Sequence, residues 1–487
     1  MIRHRRLGAA VLALLITTPA LATPFFSAGN LVISVEGNGV RGAASGPYTD
    51  NQAAPISLFQ YQLAGTASAT FVSALVLPQT TVGNNFAVSG EYGSSSEGNL
   101  QLSGDGRYLT IMGYGINAAA YNANPAAYGT AINDPSKPTA LAQSGSLTNQ
   151  SVYIPVARVA ALIDASGVID SSTALYNVFN GNNPRSAYTA DGSSFYVSGQ
   201  GVGGDATGGV FYATRGAHAA TAITGLDTSK NTAAQDTRIV QVYNGRLYVS
   251  TDSKGGSNNA RDFIGTLGAA GAPPTTLANS SNGPTMLAGF GNTGGTGKYT
   301  MAAGVGNGLA PLNGVVNLSP ESFFFADAHT LYVADSGMPK NDSTVSSGLS
   351  IGDGGLQKWI NSKLDGTGSW SLAYTLSAGL NLVPNTAAGG STGLLGLTGR
   401  VVGGNVELFA TNYAINDLDP TFLYGISDPL AALANTGSLF TMLAAAPADS
   451  TIKGVSFAPT ASDVPEPATL ALLALGLFGL MGARRRP

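Results

Sequence analysis

Side chains that could perform acid–base, nucleophilic or metal chemistry are scarce in this sequence of 487 residues. It has no cysteine and three histidines, of which only His218 and His329 lie beyond the first residues. The lack of cysteine excludes thiol catalysis, thiolate metal sites and disulfides. Two isolated histidines offer little to a Ser-His-Asp triad or a histidine metal cluster. We therefore predict no catalytic residue and no metal site.

Two glycine-rich patterns have the spacing of functional motifs but lack their surroundings. Residues 389–393 read G-x-S-x-G, whereas a nucleophile elbow needs a strand before the serine and a helix after it. The pattern G-x-G-x-x-G occurs at 199–204 and 289–294, and neither copy precedes a helical pattern as a dinucleotide site requires. The first stretch is predicted to be a glycine-rich loop, and the other two are predicted to be turns.

The beginning of the chain has the features of a secretion signal. Three arginines precede an apolar run at residues 7–16, and the small-residue pattern Ala20-Leu21-Ala22 follows. This order is typical of a signal peptide that signal peptidase removes. We expect cleavage after Ala22, which makes residues 1–22 a signal helix and places the mature chain outside the cytoplasm.

The end of the chain combines a short proline motif, an apolar run and a basic cluster. The apolar run at 468–483 would span about 24 Å as a helix, which is short for a hydrocarbon core of about 30 Å. Basic residues favour the cytoplasmic side of a membrane. The residues of the proline motif and of the basic cluster are Pro465, Glu466, Pro467, Arg484, Arg485 and Arg486.

This arrangement closely resembles the PEP-CTERM sorting signal of Gram-negative bacteria that make extracellular polysaccharide. The resemblance covers residues 464–487 and implies a transmembrane helix that anchors the chain transiently in the inner membrane. It also implies that the membrane protease exosortase reads Pro465, Glu466 and Pro467 and passes the body to the cell surface or matrix. A permanent C-terminal anchor is the alternative.

The body, residues 23–463, is acidic and poor in charge. Without the terminal arginines its formal charge is about −10, and charged residues make up only 10% of the whole chain. Binding to nucleic acid or to anionic lipid requires a basic surface. The composition therefore supports neither partner, and the 65 glycines favour an all-β fold with many turns.

Five stretches share one pattern of apolar strand, tight turn and second strand. Three of the turns are the dipeptides at 105–106, 191–192 and 244–245, Asp-Gly or Asn-Gly, which favour hairpins. The five predicted hairpins lie at 100–115, 186–201, 239–255, 323–337 and 397–413. Further strand candidates lie between them, so each unit holds about four strands.

Repeated four-stranded units predict a β-propeller, which closes on itself and leaves no long exposed sheet edge. The turns recur about every 75 residues, so the body accommodates six blades. Seven blades, or a pair of β-sandwiches, are the alternatives. The strip at 451–459 has no hairpin of its own and is predicted to pair with the strands at the start of the body, which would close the ring.

The hairpins also resemble the YVTN-type propeller repeat, in which a "DG..LYV" hairpin precedes a "V.viD" strand. The matching segments are Asn244–Val249, Thr330–Val333 and Val159–Asp164. Segments 323–337, 354–376 and 453–459 are similar to a group of exported PEP-CTERM propeller-like proteins of uncharacterised function. This likeness implies the fold and carries over no catalytic residue.

In a propeller, the loops after the second strand of each hairpin gather at one mouth of the central channel. We therefore predict a ligand rim there, whose carboxylates, amides and aromatic rings could bind sugar hydroxyls or hold Ca²⁺ through oxygen ligands. Ordinary solvated loops are the alternative, and apart from Ca²⁺ at such a rim we predict no cofactor. The rim candidates are Tyr114, Asp252, Lys254, Asp335, Asn412 and Tyr413.

These observations favour a non-enzymatic surface or extracellular-matrix protein, a propeller scaffold that interacts with extracellular polysaccharide. The long polar loops at 116–151 and 282–320 would be its interaction surface, because functional residues concentrate on loops. The alternative is a secreted propeller hydrolase or lyase that acts on a glycan or lactone. Such an enzyme would need two carboxylates at a defined separation, which a sequence does not give.

Overall fold

The structure, a computed structural model, describes residues 24–38, 47–224, 236–251, 262–278, 283–291, 298–309, 314–337, 353–384 and 387–461. The predicted signal peptide and sorting tail lie outside these residues, including Ala20, Ala22, Pro465, Glu466, Pro467, Arg484, Arg485 and Arg486. Within the described ranges, no helix is both long and apolar enough to cross a membrane.

Strands dominate the fold, as the apolar alternation and the frequent turn residues predict. The first eight are β1 (Leu31–Gly37), β2 (Ala53–Ala64), β3 (Ser68–Val76), β4 (Ser89–Glu91), β5 (Leu100–Leu102), β6 (Tyr108–Tyr114), β7 (Arg158–Asp164) and β8 (Ile169–Leu175). The next ten are β9 (Pro184–Tyr188), β10 (Ser194–Gly199), β11 (Gly209–Thr214), β12 (Thr221–Ala222), β13 (Thr237–Tyr243), β14 (Arg246–Thr251), β15 (Ile264–Leu267), β16 (Thr285–Met286), β17 (Lys298–Thr300) and β18 (Val315–Asn317). The remaining strands are β19 (Pro320–Phe325), β20 (Thr330–Asp335), β21 (Gly355–Asn361), β22 (Trp370–Leu376), β23 (Ser391–Val402), β24 (Asn405–Ala414), β25 (Phe422–Pro429), β26 (Thr441–Ala445) and β27 (Ser450–Phe457).

The connection between β6 and β7 carries short helices, whereas the sequence predicted a long polar loop over 116–151. It contains α1 (Ala118–Ala123), α2 (Thr130–Asn133) and two 3-10 turns. Asn117 caps α1, since its side-chain oxygen accepts a hydrogen bond from the Ala120 amide at 2.9 Å. Helices this short leave no extended apolar pattern, which is why the sequence did not reveal them.

All five predicted hairpins are confirmed. They are the antiparallel pairs β5–β6, β9–β10, β13–β14, β19–β20 and β23–β24. In the β13–β14 turn, Asn244 and Gly245 both have positive φ, 46° and 70°, as a two-residue turn of this kind requires. In the turn at 105–106, only the glycine has positive φ.

The chain folds as an all-β propeller, as predicted. Four blades are separate four-stranded antiparallel sheets, formed by β9 to β12, β13 to β16, β19 to β22 and β23 to β26. Each is a meander in which chain neighbours pair, so local turn chemistry determines the register. The strands β17 and β18 form a small two-stranded sheet apart from these blades.

The two termini of the body meet in a nine-stranded sheet. It contains the runs β27-β1-β2-β3 and β5-β6-β7-β8, which are joined because β4 pairs with both β2 and β6. Strand β1 pairs with β27 from Leu31 opposite Phe457 to Gly37 opposite Ser450. The predicted pairing of the late strip with the first strands is therefore confirmed.

The first strands of successive sheets lie side by side and close into a circle. Each strand contacts the next in the series β27, β5, β9, β13, β19 and β23, and β23 contacts β27 again. We call these the inner strands. Their residues are mostly buried, while outer strands such as β3 are largely exposed. The inner strands surround a central channel.

Apolar clusters fill the spaces between neighbouring sheets. Between the sheets of β13 to β16 and β19 to β22, for example, Trp359 is fully buried and stacks on Phe290 at 4.2 Å between ring centroids. Separate clusters occupy the other interfaces. Since burying one large apolar side chain contributes about 1.5–3 kcal/mol, these interfaces hold the sheets together.

One interface also contains a buried ion pair. Lys358 on β21 and Asp428 on β25 are fully buried, with Nζ and Oδ2 3.0 Å apart. The hydroxyl groups of Tyr332 and Tyr374 donate hydrogen bonds to the same Oδ2 at 2.6 and 2.8 Å. Lys358 also donates to the carbonyl oxygens of Pro429, the last residue of β25, and of Leu430. The polar atoms of this group therefore satisfy one another across two blades.

Candidate functional site

Charged side chains concentrate at one end of the channel, where the inner strands begin. We call this set the charged belt. Its members lie at or just before the first residues of β5, β9, β13 and β19, or within β27, and all are buried. They are Glu97, Arg185, Asp236, Arg238, Glu321 and Lys453.

Ion pairs within the belt join neighbouring inner strands. Arg185 on β9 bonds Asp236 before β13, and both are buried. Arg238 on β13 bonds Glu321 on β19 at 2.9 Å. Gln200 donates to Asp236 at 2.9 Å. Because these charges are paired and hydrogen-bonded, the belt can hold adjacent blades in register.

Three buried glutamates, one of them Glu97 of the belt, lie close together in the nine-stranded sheet, on β1, on β4 and just before β5. We call Glu36, Glu91 and Glu97 the glutamate cluster. Tyr114 donates to Glu97 Oε2 at 2.7 Å, and the Glu91 amide donates to Glu97 Oε1. Glu91 accepts a hydrogen bond from the Ala142 amide. The cluster thus connects the closing strands to the neighbouring run.

Burial raises the pKa of all three carboxyl groups in the glutamate cluster. The pKa of Glu91 rises to about 8, because burial and the nearby Glu97 both disfavour its ionised form. The pKa of Glu97 also rises through burial, although its hydrogen bond from Tyr114 opposes the rise. In Lys453 burial lowers the pKa, and the glutamates oppose this. Protons are therefore bound in this cluster near neutral pH.

Glu36 is the least satisfied member. It is fully buried, and neither carboxyl oxygen has a hydrogen-bond partner among the described residues. Glycine is needed beside it: a Cβ at Gly98 would come 3.0 Å from Oε1, and Gly98 has φ +77°. Burial raises the pKa of Glu36 well above its usual range, which keeps a proton on this group.

Two of the predicted rim residues, Tyr114 and Asp335, lie at the ends of second strands, as expected, but are buried. Tyr114 bonds Glu97, and the Arg158 guanidinium lies 4.7 Å from its ring centroid. Asp335 accepts hydrogen bonds from the Ser319 and Gly337 amides and from Gln357. Burial raises the pKa of Asp335 to about 7.

The other described rim candidates, Asn412 and Tyr413, are also buried, at 2% exposure each. Asn412 donates to Ser391 Oγ at 2.6 Å and accepts from the Phe422 amide. The Tyr413 hydroxyl accepts from Ser95 Oγ at 3.3 Å. Asp252 and Lys254 lie outside the described residues. The four described candidates therefore support strand ends and do not form an exposed rim.

An open cavity lies toward the opposite end of the channel. This channel cavity has a volume of ≈ 270 Å³ and is lined by β5, β13, β19, β23 and β27, together with the end of β9. Polar groups from Gln101, Gln241, Ser322 and Thr398 line it. None of its lining residues is acidic, basic or histidine. The arrangement can offer hydrogen bonds and aromatic surfaces but no charge.

Sequence reasoning missed the charged belt and the glutamate cluster, although a signal for the belt exists. In a chain with few charges, a charged residue occurs at the second position of three inner strands, in Pro184-Arg185, Thr237-Arg238 and Pro320-Glu321. A repeat-by-repeat alignment of strand beginnings would have shown it. The glutamates come from non-equivalent positions, so no such alignment finds them.

The described residues include no group of three His, Cys, Asp or Glu side chains arranged to hold a metal ion. His218 stacks against Tyr176 with 6.2 Å between ring centroids. His329 lies in the β19–β20 turn, where its amide donates to Asp327. Neither histidine lies at the charged belt or the channel cavity.

Comparison with known proteins identifies the C-terminal segment. The PEP-CTERM protein-sorting motif matches residues 463–486, which confirms the predicted resemblance. This motif supports export through the exosortase system, implies processing by exosortase and implies sorting to the cell surface. No curated protein matches the chain.

The solved structures that match the chain have low sequence identity to it and low TM-scores. The β-propeller domain of the Trilobed protease from Pyrococcus furiosus is 8% identical, with 79% of this chain and 86% of that chain covered and a TM-score of 0.25. An apocarotenoid oxygenase from Synechocystis is 9% identical, with 90% and 94% covered and a TM-score of 0.33. A xylan β-1,4-xylosidase from Bacillus halodurans is 10% identical, with 85% and 82% covered and a TM-score of 0.30. No conclusion about activity follows from likeness at this level.

Proposed function

We propose that this protein is a non-enzymatic scaffold of the bacterial cell surface or extracellular matrix that interacts with extracellular polysaccharide. The observation that carries the proposal is the sorting motif at 463–486, which follows directly after the strand that closes the propeller, β27. The part of the chain that precedes the motif, and that would be sorted, then contains every inner strand of the ring. Its low charge and its uncharged channel cavity suit a carbohydrate partner better than a nucleic acid.

The route that we propose follows the order of the segments. Residues 1–22 direct secretion and are removed by signal peptidase. Residues 464–487 then hold the chain in the inner membrane of a Gram-negative bacterium until exosortase processes it and releases the body. The short apolar run at 468–483, with arginines after it, supports a transient anchor in this orientation.

We also propose that the ring has six blades. Two observations support this number: the nine-stranded sheet contains two four-stranded runs in addition to the four separate blades, and six inner strands follow one another in a closed circle of contacts. Closure by β27 and β1 leaves β1 without a free edge, as a propeller requires.

A co-sedimentation experiment tests the proposed function. The full chain, in a detergent without a sugar headgroup, is mixed with polysaccharide from the native host, and bound protein and released sugar are both measured. We expect saturable co-sedimentation and no released sugar. Failure to co-sediment would contradict the proposed partner.

A second candidate function, a hydrolase or lyase that acts on a glycan, is favoured by the glutamate cluster. A carboxyl group with a pKa of about 8, such as that of Glu91, is protonated at neutral pH and could act as a general acid. Its burial in the closed ring opposes this role. Released sugar in the experiment above, abolished by Glu91→Gln, would replace the scaffold with this enzyme.

A further inference from the structure

The channel cavity contains polar groups without partners. The side-chain oxygen of Gln241 and the hydroxyls of Ser322 and Thr398 make no hydrogen bond to another described residue as donor or acceptor, and all three residues line the cavity. Gln101 is held in place, because its Nε2 lies 3.2, 3.1 and 2.9 Å from the acceptors Ser186 Oγ, Ala187 O and Val240 O. A ligand that offers hydrogen-bond donors and acceptors would satisfy these groups.

Aromatic surfaces complete the lining. Tyr188 from β9, Phe324 from β19 and Phe457 from β27 line the cavity, whereas the ring of Phe323 is packed in the core between two blades. Small-molecule sites commonly combine such apolar surfaces with a few polar groups that fix orientation. Flat rings beside hydroxyl and amide groups suit a sugar, which has apolar C–H faces and hydroxyl edges.

The absence of charge in the lining restricts the kind of sugar. A carboxylate or sulfate on the sugar would lose its hydration on entering and would meet no cationic side chain among the lining residues. The cavity volume of ≈ 270 Å³ is below the roughly 300–1,000 Å³ typical of drug-sized ligands. It therefore suits a single sugar ring.

We propose that the channel cavity binds one uncharged sugar unit of an extracellular polysaccharide. This proposal rests on the proposed function and adds the place and the chemical class of the ligand. Hydroxyl groups of the sugar bond Gln241, Ser322 and Thr398, and its apolar face contacts the aromatic rings. The site lies at the channel end opposite the charged belt, so binding leaves the belt's ion pairs intact.

Calorimetric titration of the full chain with glucose, galactose, mannose, xylose and glucuronate tests the proposal. We expect at least one neutral sugar to bind saturably at millimolar concentration and glucuronate to bind at least about tenfold more weakly. Binding of no neutral sugar, or equal binding of glucuronate, would overturn it.

Two matched variants locate the binding. In Thr398→Trp, the larger side chain fills the cavity that half-buried Thr398 lines. Thr70→Trp makes the same change at exposed Thr70 on β3, away from the cavity. Sugar affinity should fall at least about tenfold in the first variant and stay unchanged in the second, with thermal unfolding confirming that both fold. Gln241→Ala gives a second, smaller perturbation, and Gln62→Ala at exposed Gln62 is its control.

The outcomes separate this site from the proposed function. If Thr398→Trp and Gln241→Ala leave sugar binding unchanged, the cavity is not the site, even when the polysaccharide still co-sediments. If the native polysaccharide fails to co-sediment while a neutral sugar binds in the cavity, the proposed matrix partner is wrong and the cavity site stands.

Discussion

Buried carboxyl groups without hydrogen-bond partners are uncommon in folded proteins, and Glu36 is one of them. It shares its surroundings with Glu91, Glu97 and Lys453. One lysine cannot balance three ionised glutamates in a low-dielectric interior, so at least one of them keeps a proton. Protonation is therefore part of how the first and last strands of the ring fit together.

The pKa of Glu91 leads to a prediction about pH. Between its usual value near 4.5 and the folded value of about 8, folded Glu91 holds a proton that the unfolded chain releases. Its contribution is fully present at low pH and is lost as pH rises through about 8. Lys453, with a lowered pKa, acts in the opposite sense. We expect the free energy of unfolding to fall by at least about 1 kcal/mol between pH 5.5 and 8.

Glu91→Gln should reduce this pH dependence, because glutamine stays neutral over the whole range. The groups that act on the Glu91 charge are Glu97, Asp50 and Lys137, together with the Ala142 amide. Urea unfolding of both proteins at pH 5.5 and 8 measures the effect. An equally steep loss of stability in the variant would show that Glu91 is not the titrating group.

At the scale of single residues, the sequence shows which residue types are missing or scarce, but it does not show where a side chain lies in the fold. It showed that cysteine is missing and histidine scarce, because these are matters of count. It predicted Asp335 and Tyr413 as members of a ligand rim, whereas Asp335 accepts hydrogen bonds from two backbone amides and Tyr413 is only 2% exposed. The burial of a polar side chain at a strand end depends on the neighbouring blade, which local sequence does not describe.

Strands and turns were more predictable, because hairpins depend on neighbouring residues in the chain. Asn244 and Gly245 form the tight turn that their dipeptide favours. The turn at 105–106 differs in detail: the Asp105 side chain accepts hydrogen bonds from Ser103 Oγ and the Arg107 amide, which stabilises a longer turn. Both dipeptides predict a hairpin, but only the structure separates the two turn types.

Contacts between blades were not predictable, and the Lys358–Asp428 pair gives a test of their strength. Lys358→Met leaves Asp428 buried with only neutral partners, the hydroxyls of Tyr332, Tyr374 and Ser438, and we expect a loss of about 3–5 kcal/mol in the free energy of unfolding. Urea denaturation measures this loss. Lys363→Met, at exposed Lys363 just after the same strand, is the control and should change stability by less than about 0.5 kcal/mol.

The double variant Lys358→Met, Asp428→Asn distinguishes the ion pair from simple packing. Removing both charges eliminates the unpaired buried carboxylate, so the double variant should recover part of the stability that the single variant loses. If the double variant loses more free energy of unfolding than the two single variants lose in sum, the pair does not act as a unit of opposite charges.

At the scale of the whole molecule, the pairing of β1 with β27 completes the circle of inner strands. The sequence predicted this closure because one strand at the end lacked a hairpin and the beginning supplied three strands. It did not predict β4, a three-residue strand that pairs with β2 and β6 and joins the two four-stranded runs of the nine-stranded sheet. A strand that short has no alternation to recognise.

Truncation tests the importance of closure. A chain ending at residue 449 lacks β27, including Lys453 and the buried Ile452 and Val455, and exposes the inner edge of β1. We expect this chain to lose its cooperative thermal transition and to aggregate. A chain ending at residue 461 keeps every inner strand and should unfold within about 2 °C of the full chain. A cooperative transition in the shorter chain would show that closure is dispensable.

The position of β27 also has a consequence for the order of events during export. A secreted chain reaches the far side of the membrane with its N-terminus first, so β1, β2 and β3 arrive early, while β27 is among the last strands to cross. β1 pairs with β27 across more than 400 residues of intervening chain. The edge of β1 that pairs with β27 therefore has no partner strand through most of translocation. Pairings this distant in sequence also form slowly. The earliest strands to emerge thus become the last to be covered, and a tail still held in the membrane would keep β27 close to the translocation site while the ring closes.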